Sequence, residues 1–299
     1  MGSVSFRKLA VFGVGLIGGS FALALKQAGM VERVVGVGRG RANIDRALEL
    51  GVIDEAAEQA AEAIDAADLV LVAVPVRQMD AVFAGIAPHL RPDAAITDGG
   101  STKRDVITAA AALGEKFGAF VPAHPIAGGE LSGVEAASAE LYRGRTVVIT
   151  PLPQTDARAR TVVDVAWRAC GAKVVEMTPQ RHDEVLGAVS HLPHALAFAM
   201  MHMIAQRRDT AELLSFAGAG FRDFTRIASS SPEMWRDICL ANRDVLAHEL
   251  RAYGAHLDAF IQLLQNHDGA ALERAFMAAR AARNDWLAER KVSAGEEAG

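Results

Sequence analysis

Short apolar runs alternate with helical patterns along the first part of the chain. Each run has the length of a strand, and amphipathic stretches lie between most of them. The run at 68–75 is almost wholly apolar, as in a parallel strand that is buried on both faces. This alternation predicts an α/β domain with a doubly wound sheet. The predicted strands lie at residues 8–12, 33–37, 68–75, 94–97, 119–122, 145–150 and 173–176.

The pattern changes near residue 177, beyond which only helical periodicities follow one another. The predicted helical stretches lie at about 181–207, 209–229, 232–266 and 268–290. We therefore predict an α/β domain over residues 1–177, an all-α domain over residues 178–292 and a polar tail over residues 293–299.

The first predicted strand runs into a glycine-rich turn that opens an apolar helix. Gly13 permits the tight turn, Gly15 lets a pyrophosphate approach the backbone, and Gly18 lets the helix pack closely on the sheet. Because a helix N-terminus attracts anions, this unit predicts a dinucleotide site on a Rossmann-type sheet. The predicted cofactor-binding residues are Gly13, Gly15, Leu16, Ile17, Gly18, Arg39, Val74, Pro75 and Ser101.

The third helical stretch carries a heptad seam. Its apolar positions alternate four and three residues apart, at Leu246, Leu250, Tyr253, Leu257, Phe260 and Leu264. Such a seam packs either within its own domain or against a second copy of the chain. The many apolar residues of the helical half make a dimer attractive, and we expect a homodimer through this domain.

Composition and charge narrow the range of partners. The chain has 299 residues, of which 51% are hydrophobic and 22% charged, as in an ordinary soluble protein of two domains. A net charge of −5 gives no reason to expect a nucleic acid or an anionic membrane as partner. No uninterrupted apolar run reaches the ~18–20 residues of a membrane span, and the first residues lack the apolar core of a signal peptide. We therefore expect a cytoplasmic protein.

The end of the second predicted strand favours NADP over NAD. An NAD site usually places a carboxylate there, against the ribose 2′-hydroxyl. Here Gly38, Arg39, Gly40 and Arg41 follow the strand, and no carboxylate occurs before Asp45. The guanidinium of Arg39 would attract a 2′-phosphate. Arg39 could instead be solvated or stack on the adenine of either cofactor, so NAD stays the alternative.

Two candidate catalytic residues follow later strands. Ser101 lies beyond the strand at 94–97, and His124 lies beyond the strand at 119–122. Doubly wound sheets bind their ligands at this carboxyl edge, where a histidine can accept a proton near neutral pH. His124 could otherwise cap a loop, and Ser101 could orient His124 or cap the next helix. Lys103 is predicted to lie on the solvated first turn of that helix.

The helical half supplies a second set of polar residues. Arg226 precedes a serine-rich stop, which suits a carboxylate clamp, although an interdomain salt bridge has the same signature. His191 and His194 lie three residues apart. Two histidines without an evident third ligand do not predict a metal site. Trp235 is predicted to fill the core, with a place in a substrate pocket as the alternative.

Five specific segments follow one another over about 220 residues, and the His-Pro-x-x-Gly and Thr-Arg-Ile-Ala motifs are the most specific of their features. The segments are 13–20, 98–103, 124–130, 190–194 and 224–228 through Trp235. Together, and in this order, they resemble the prephenate/arogenate dehydrogenase family of tyrosine biosynthesis. The resemblance implies a Rossmann domain, a helical dimerisation domain and the oxidative decarboxylation of a cyclohexadienol with hydride transfer to NAD(P).

The resemblance also implies residue roles. The residue matching His124 polarises or deprotonates the ring hydroxyl with help from the one matching Ser101, while the one matching Arg226 binds the ring carboxylate. The remaining matches line the family's pocket or its entrance, at His191, His194, Glu130 and Trp235. Prephenate carries a pyruvyl side chain and arogenate an alanyl one, and no single residue decides between them.

Two other classes of protein stay open. A β-hydroxyacid or imine dehydrogenase shares the architecture, but typically acts through a lysine in the helical half, and residues 177–290 contain none. A non-catalytic NADP-binding sensor would need neither His124 nor Arg226.

Overall fold

A six-stranded parallel sheet organises the first part of the chain. The computed structural model describes residues 5–129 and 131–295. The strands of this sheet are β1 (Phe6–Phe12), β2 (Val31–Val37), β3 (Glu55–Ala56), β4 (Leu69–Val72), β5 (Ala95–Asp98) and β6 (Phe120–Val121). They lie in the order β3-β2-β1-β4-β5-β6, and all neighbouring pairs are parallel. This is the strand order of a Rossmann sheet, with its switch point between β1 and β4. The predicted fold class is confirmed.

Helices follow most of these strands. They are α1 (Leu16–Gln27), α2 (Arg41–Glu49), α3 (Ala60–Ile64), α4 (Met79–Ile86), α5 (Arg104–Ala110) and α6 (Ala157–Ala169). Short 3₁₀ segments lie at Val76–Gln78, Ala87–His89, Ala111–Ala119 and Val134–Ala136.

Alternate residues of the central strand face two separate apolar cores. Leu9 and Val11 pack in one core with Trp167 of α6, while Ala10 and Phe12 pack in the other with Phe83 of α4. Successive side chains of a strand point to opposite faces of the sheet, so both faces of β1 are covered. The apolar character of the strands therefore follows from burial on two sides.

Three further strands form a second sheet that carries His124. They are β7 (Ala123–Pro125), β8 (Thr146–Ile149) and β9 (Lys173–Glu176), with β7 antiparallel and β9 parallel to β8. The strand predicted at 119–122 is shortened to β6, which ends before Pro122, and β7, which the pattern does not predict, begins directly after this proline. Pro122 has no N–H for a ladder, and its carbonyl accepts from the Thr150 N–H at 2.9 Å, beside the second sheet. His124 thus lies within a strand of its own, not in the loop after a parallel strand.

Beyond β9 the described residues form only helices and their connections, as the pattern predicts, but the last helix continues to residue 295, past the predicted start of the tail at 293. The helices are α7 (Pro179–Leu186), α8 (Leu192–Ala205), α9 (Thr210–Ser215), α10 (Ala219–Thr225), α11 (Pro232–Ala241), α12 (Arg243–Gln265) and α13 (Gly269–Gly295). A π-helical segment, Gly187–His191, joins α7 to α8, and a 3₁₀ turn, Arg226–Ser229, follows α10. The single helix predicted at 232–266 is broken at Asn242.

The chain forms two compact units, Met1–Leu246 and Ala247–Gly299. In the second unit, Phe260 and Phe276 bring α12 and α13 together with ring centroids 5.9 Å apart. Much of the predicted heptad seam is exposed within one chain, at Leu250, Tyr253, Leu257 and Leu264.

One helical stretch of the first unit, Pro179–Ala205, is long and apolar enough to cross a membrane by length and composition, with a mean hydropathy of 1.2. Only 11% of its apolar window is buried inside the chain. Length and composition alone do not separate a membrane span from a helix that is covered by another protein chain.

Candidate active site

The glycine turn after β1 has the shape of a pyrophosphate cradle. Gly13 has φ +97°, and a Cβ there would lie 2.5 Å from the carbonyl oxygen of Ala73. A Cβ on Gly18 would collide with the carbonyl oxygen of Gly13. Gly15, in contrast, has no atom within 4 Å of the Cβ position, and no side chain caps the helix that begins at Leu16. A helix N-terminus that no described side chain caps, beside open space at Gly15, fits the pyrophosphate of a dinucleotide.

The other predicted cofactor residues surround this turn. Leu16 and Ile17 form the first turn of α1, and Val74 and Pro75 follow the end of β4. Gly99 lies close to Ile17, because a Cβ on Gly99 would meet the Ile17 side chain at 2.8 Å. The loop after β5 therefore approaches the start of α1.

Asn43 is a residue of this region that the sequence reasoning missed. Its Nδ2 donates to the carbonyl oxygen of Val14 at 2.6 Å, and its Oδ1 accepts from the Val134 N–H at 3.0 Å. Asn43 thus holds the glycine turn from the side of α2. A single asparagine in an amphipathic helix carries no sequence signal for such a contact.

Arg39 is exposed in the turn between β2 and α2. The neighbouring Arg41 is paired with Asp45 at 2.9 Å and with Glu58 at 3.6 Å. Arg39 has no ion pair within residues 5–129 and 131–295. Its guanidinium is therefore the one of these two that is available to an anionic group.

Lys103 is fully buried, so the prediction that it lies on a solvated turn is wrong. Its ammonium donates to Oδ2 of Asp98 and to the carbonyl oxygen of Ala123, both at 2.5 Å. Asp98 in turn accepts from the Ala123 N–H at 2.9 Å. Burial of an ionic group is tolerated when it is paired and hydrogen-bonded in this way. The pair fixes Ala123, the residue before His124, against the end of β5.

His124 begins a chain of three polar side chains. Its Nδ1 lies 2.8 Å from Nε2 of His182, and Nδ1 of His182 lies 2.8 Å from Oδ1 of Asp183. His182 and Asp183 are almost completely buried on α7. Neither residue was a candidate from the sequence, where the only signal is an adjacent His-Asp pair early in a helix.

The proton positions along this chain follow from Asp183. Its carboxylate accepts from the backbone N–H groups of Lys103 and Arg104 and from Nε of Arg104, at 2.8 to 3.1 Å. An ionised carboxylate only accepts, so Nδ1 of His182 carries the proton and its Nε2 is an acceptor. Nδ1 of His124 must then donate to His182, which leaves a lone pair on Nε2 of neutral His124.

The pKa values agree with this arrangement. Burial would raise the pKa of Asp183, but hydrogen bonds from His182 and from the N–H groups of Arg104 and Lys103 lower it overall. Burial lowers the pKa of His124 well below 6.5, and the charges of His182 and Lys103 lower it further. His124 is therefore neutral at physiological pH and can accept a proton.

Ser101 lies in the loop between β5 and α5, half-buried. Ser101 is not the N-cap of α5, because Lys103 occupies that position. The carboxylate of Asp183 accepts hydrogen bonds from the backbone N–H groups of Lys103 and Arg104 at the start of this helix. The alternative of a capping serine is thus wrong.

A second cluster lies on the helices of the first unit. The rings of His194 and Trp235 stack with centroids 3.7 Å apart, and His191 lies 6.1 Å from Trp235. Nδ1 of His194 donates to the carbonyl oxygen of Ser190 at 2.9 Å. The 3₁₀ turn that begins at Arg226 packs against α8, so Arg226 belongs to the same region. Burial lowers the pKa of His194, the hydrogen bond to Ser190 raises it, and the positive charge of Arg226 lowers it.

Two donor atoms of this cluster are buried. Nε2 of His191 and Nε1 of Trp235 have no hydrogen-bond partner among the residues that the structure describes. Arg226 itself is exposed. Glu130, the remaining predicted pocket residue, lies outside the described residues. Among those described, no three metal-ligating side chains are grouped to hold a metal ion.

A dinucleotide cradle on a Rossmann sheet, with a buried histidine network in the adjoining sheet and helix, is typical of an NAD(P)-dependent dehydrogenase. The family model "Prephenate dehydrogenase, nucleotide-binding domain" matches residues 21–176, and "Prephenate dehydrogenase, dimerization domain" matches residues 178–278. The chain belongs to the prephenate dehydrogenase family.

Individual relatives agree with this assignment. The chain is 36% identical to the prephenate dehydrogenase of Bacillus subtilis over 90% of its own length and 73% of the relative's. It is 35% identical to the cyclohexadienyl dehydrogenase of Zymomonas mobilis, over 93% and 95% of the two chains. The crystal structure of prephenate dehydrogenase from Aquifex aeolicus with hydroxyphenyl propionate and NAD+ superposes with a TM-score of 0.89. That structure is 34% identical, and the match covers 95% of this chain and 99% of the other.

Proposed function

We propose that the chain oxidatively decarboxylates prephenate, arogenate or both, with NAD(P)+ as the hydride acceptor. The products would be 4-hydroxyphenylpyruvate from prephenate and tyrosine from arogenate. The observation that carries the proposal is the chain of contacts from Asp183 through His182 to His124, since it leaves Nε2 of neutral His124 free to accept the ring hydroxyl proton. The family assignment supplies the substrate class.

His124 performs the proton transfer. Its Nε2 accepts the hydroxyl proton as the C–O bond gains double-bond character, and His182 and Asp183 stabilise the resulting positive charge. Bound NAD(P)+ would accept the hydride from the carbon that bears the hydroxyl. The electron pair of the bond to the departing CO₂ enters the ring and makes it aromatic. The oxygen then takes its proton back from His124, so no net proton is released.

The helical cluster would hold the substrate. Arg226, on the turn that packs against α8, would pair with the ring carboxylate, and a guanidinium can do so with two parallel hydrogen bonds. Nε1 of Trp235 and Nε2 of His191, which have no partner within residues 5–129 and 131–295, would donate to substrate oxygens. The proposed site residues are His124 and Ser101 for catalysis, and Arg226, His191, His194, Glu130 and Trp235 for substrate binding.

We propose NADP as the preferred cofactor and NAD as the alternative. The turn after β2 offers an exposed guanidinium at Arg39 and no carboxylate before Asp45. Arg41 is already paired with Asp45 and Glu58, which leaves Arg39 for a 2′-phosphate.

A homodimer through the helical region is part of the proposal. The stretch Pro179–Ala205 and the seam residues Leu250, Leu257 and Leu264 leave apolar surface exposed within one chain. Exposed apolar residues at regular helical spacing are typical of an interface. A second copy of the chain would cover it, in agreement with the dimerization domain model over residues 178–278.

The proposed domain limits remain 1–177 and 178–292, and the proposed location is the cytoplasm.

The decisive test is a turnover assay with prephenate and arogenate, each with NAD+ and NADP+. The proposal requires reduced cofactor and CO₂ in at least one of the four combinations, with loss of activity in His124→Asn. Cofactor binding without turnover would favour a sensor. Turnover of a β-hydroxyacid or an imine instead would identify another dehydrogenase of the same architecture.

A further inference from the structure

Asn242 lies at the break between α11 and α12, where its side chain is completely buried. Its Oδ1 accepts from the guanidinium of Arg104 at 2.9 Å, and its Nδ2 donates to the carbonyl oxygen of Asp183 at 2.8 Å. The opposite amide orientation would set an NH₂ group against the guanidinium and an oxygen against the carbonyl. Only one orientation of the amide therefore satisfies both contacts.

The same Nδ2 lies 3.1 Å from Nδ1 of His191. Because Nδ2 carries only donor hydrogens, Nδ1 of His191 must be the acceptor. A neutral imidazole has one N–H, so that N–H is on Nε2 of His191. Burial lowers the pKa of His191 to about 4, with the charges of His182 and His194 acting in the same direction and that of Asp183 against it.

His191 is only 1% exposed. Its Nε2 is buried and has no hydrogen-bond partner among the described residues. A buried N–H without a partner is destabilising, so such a group commonly serves a ligand. Its neighbours include Trp235 and His194, the residues of the proposed substrate cluster.

We propose that Asn242 is a positioning residue, which holds His191 as the Nε2–H tautomer so that His191 donates a hydrogen bond to an oxygen atom of the substrate. This inference rests on the proposed function for the identity of the substrate. The group that His191 contacts must be an acceptor, such as a keto or carboxylate oxygen, and not an ammonium. Arg104 contacts both Asn242 and Asp183. One hydrogen-bond network therefore determines that Nε2 of His191 carries a proton and that Nε2 of His124 carries a lone pair.

Close packing around Gly187 supports the placement of Asn242. A Cβ on Gly187 would collide with the Val245 side chain and would lie 3.4 Å from Nδ2 of Asn242. The π-helical segment that ends at His191 therefore lies directly against the break that carries Asn242.

The tautomer can be read from the nitrogen resonances of the full-length protein labelled with ¹⁵N-histidine. We expect His191, assigned by its loss in His191→Gln, to carry its proton on Nε2 and none on Nδ1. Addition of 4-hydroxyphenylpyruvate with NADP+ should shift the Nε2 resonance. A proton on Nδ1 would overturn the positioning role, and an unmoved Nε2 resonance in the saturated complex would overturn the substrate contact.

Asn242→Asp tests the same point by substitution. One carboxylate oxygen can keep the contact with Arg104, while the other can only accept, so the proton of His191 should move to Nδ1. The KM for prephenate should then rise about tenfold, with a smaller change in kcat, because a binding hydrogen bond is lost. The control Asp244→Asn removes another carboxylate that contacts Arg104, and it should leave the His191 tautomer unchanged.

Each outcome bears on one claim. An Asn242→Asp protein in which His191 keeps its Nε2 proton contradicts the positioning role, and a moved proton with an unchanged KM contradicts the substrate contact. If the variant does not fold, the spectra of the wild-type protein decide both points. Absence of turnover with either substrate would reject the proposed function, while the tautomer of His191 would still be measurable.

Discussion

Nδ1 of His124 lies 2.8 Å from Nε2 of His182, although 58 residues separate them in the chain. The contact joins β7 to α7, and the carboxylate of Asp183 beyond it determines which nitrogen of His182 is protonated. The proposed role of His124 as proton acceptor therefore depends on a histidine that need not touch the substrate.

Replacement of His124 by Asn should lower kcat by ~10²–10⁴, the range for loss of a general base. Cofactor affinity should stay nearly unchanged, because the glycine turn is intact. Steady-state kinetics and equilibrium binding of NADP+ measure the two effects. A variant with near-normal kcat would contradict the assignment of the base.

The pH profile of the wild-type enzyme gives a second check on His124. The residue must be neutral to act, and burial lowers its pKa well below 6.5. The kcat should therefore be level above pH 6.5 and should fall only as the pH drops through the lowered pKa. This acidic limb should be absent in His124→Asn. A limb centred above 6.5 would indicate another titrating group.

Replacement of His182 by Gln tests the relay. An amide can still accept from His124 but cannot share positive charge with Asp183, so kcat should fall by about 10- to 100-fold, less than when the base itself is removed. Cofactor binding should not change. The exposed His89 offers a matched control, and His89→Gln should leave kcat as it is. A normal kcat in His182→Gln would show that the relay is only structural.

Arg39→Ala should weaken NADP+ binding by ~2–3 kcal/mol, the scale for losing a charge-assisted hydrogen bond, and should barely alter NAD+ binding. Arg41→Ala is the control, since Arg41 is already paired with Asp45. Dissociation constants for both cofactors decide the matter. Equal losses of affinity for NADP+ and NAD+ would favour stacking of Arg39 on the adenine. A wild-type preference for NAD+ would exclude a role of Arg39 in selecting NADP+.

Leu257→Asp should disrupt the dimer. The side chain is 45% exposed in one chain, and a charge in an apolar interface costs free energy unless it is paired. Sedimentation should show monomers or unfolded protein. Leu48 on α2 is a comparably exposed leucine outside the seam, so Leu48→Asp should leave the association state unchanged. A fully active monomeric wild type would reject the dimer.

Arg226→Ala should raise the KM for prephenate at least ~10²-fold, as expected for loss of a bidentate clamp of ~3 kcal/mol. Arg226→Lys should restore the low KM only poorly, because an ammonium group lacks the planar geometry with which a guanidinium makes two parallel hydrogen bonds. The cofactor Kd should not change in either variant. The exposed Arg222, one turn earlier, is the control in Arg222→Ala. Normal substrate kinetics in Arg226→Ala would place the carboxylate clamp elsewhere.

The strands, helices and turns that depend on the local pattern of apolar residues and glycines could be predicted from the sequence. The alternation of strand and helix signals identifies the Rossmann sheet, and the glycine spacing identifies the turn after β1. Contacts between distant segments could not be predicted. Lys103 resembles a solvated lysine until β5 and β7 enclose it, and His182 has no partner until β7 approaches α7. Helical periodicity continues through Asn242, so the break there is invisible in the pattern.

The π-helical segment Gly187–His191 has a consequence for the way this region can vary. A π turn holds about one residue more than an α turn, so continuous α-helical winding of the same sequence would turn the residues of α8 to another face relative to α7. His194 would then leave the ring of Trp235, even with every side chain of the cluster present. The stacked pair of His194 and Trp235 thus requires the π winding between α7 and α8 as well as its two rings.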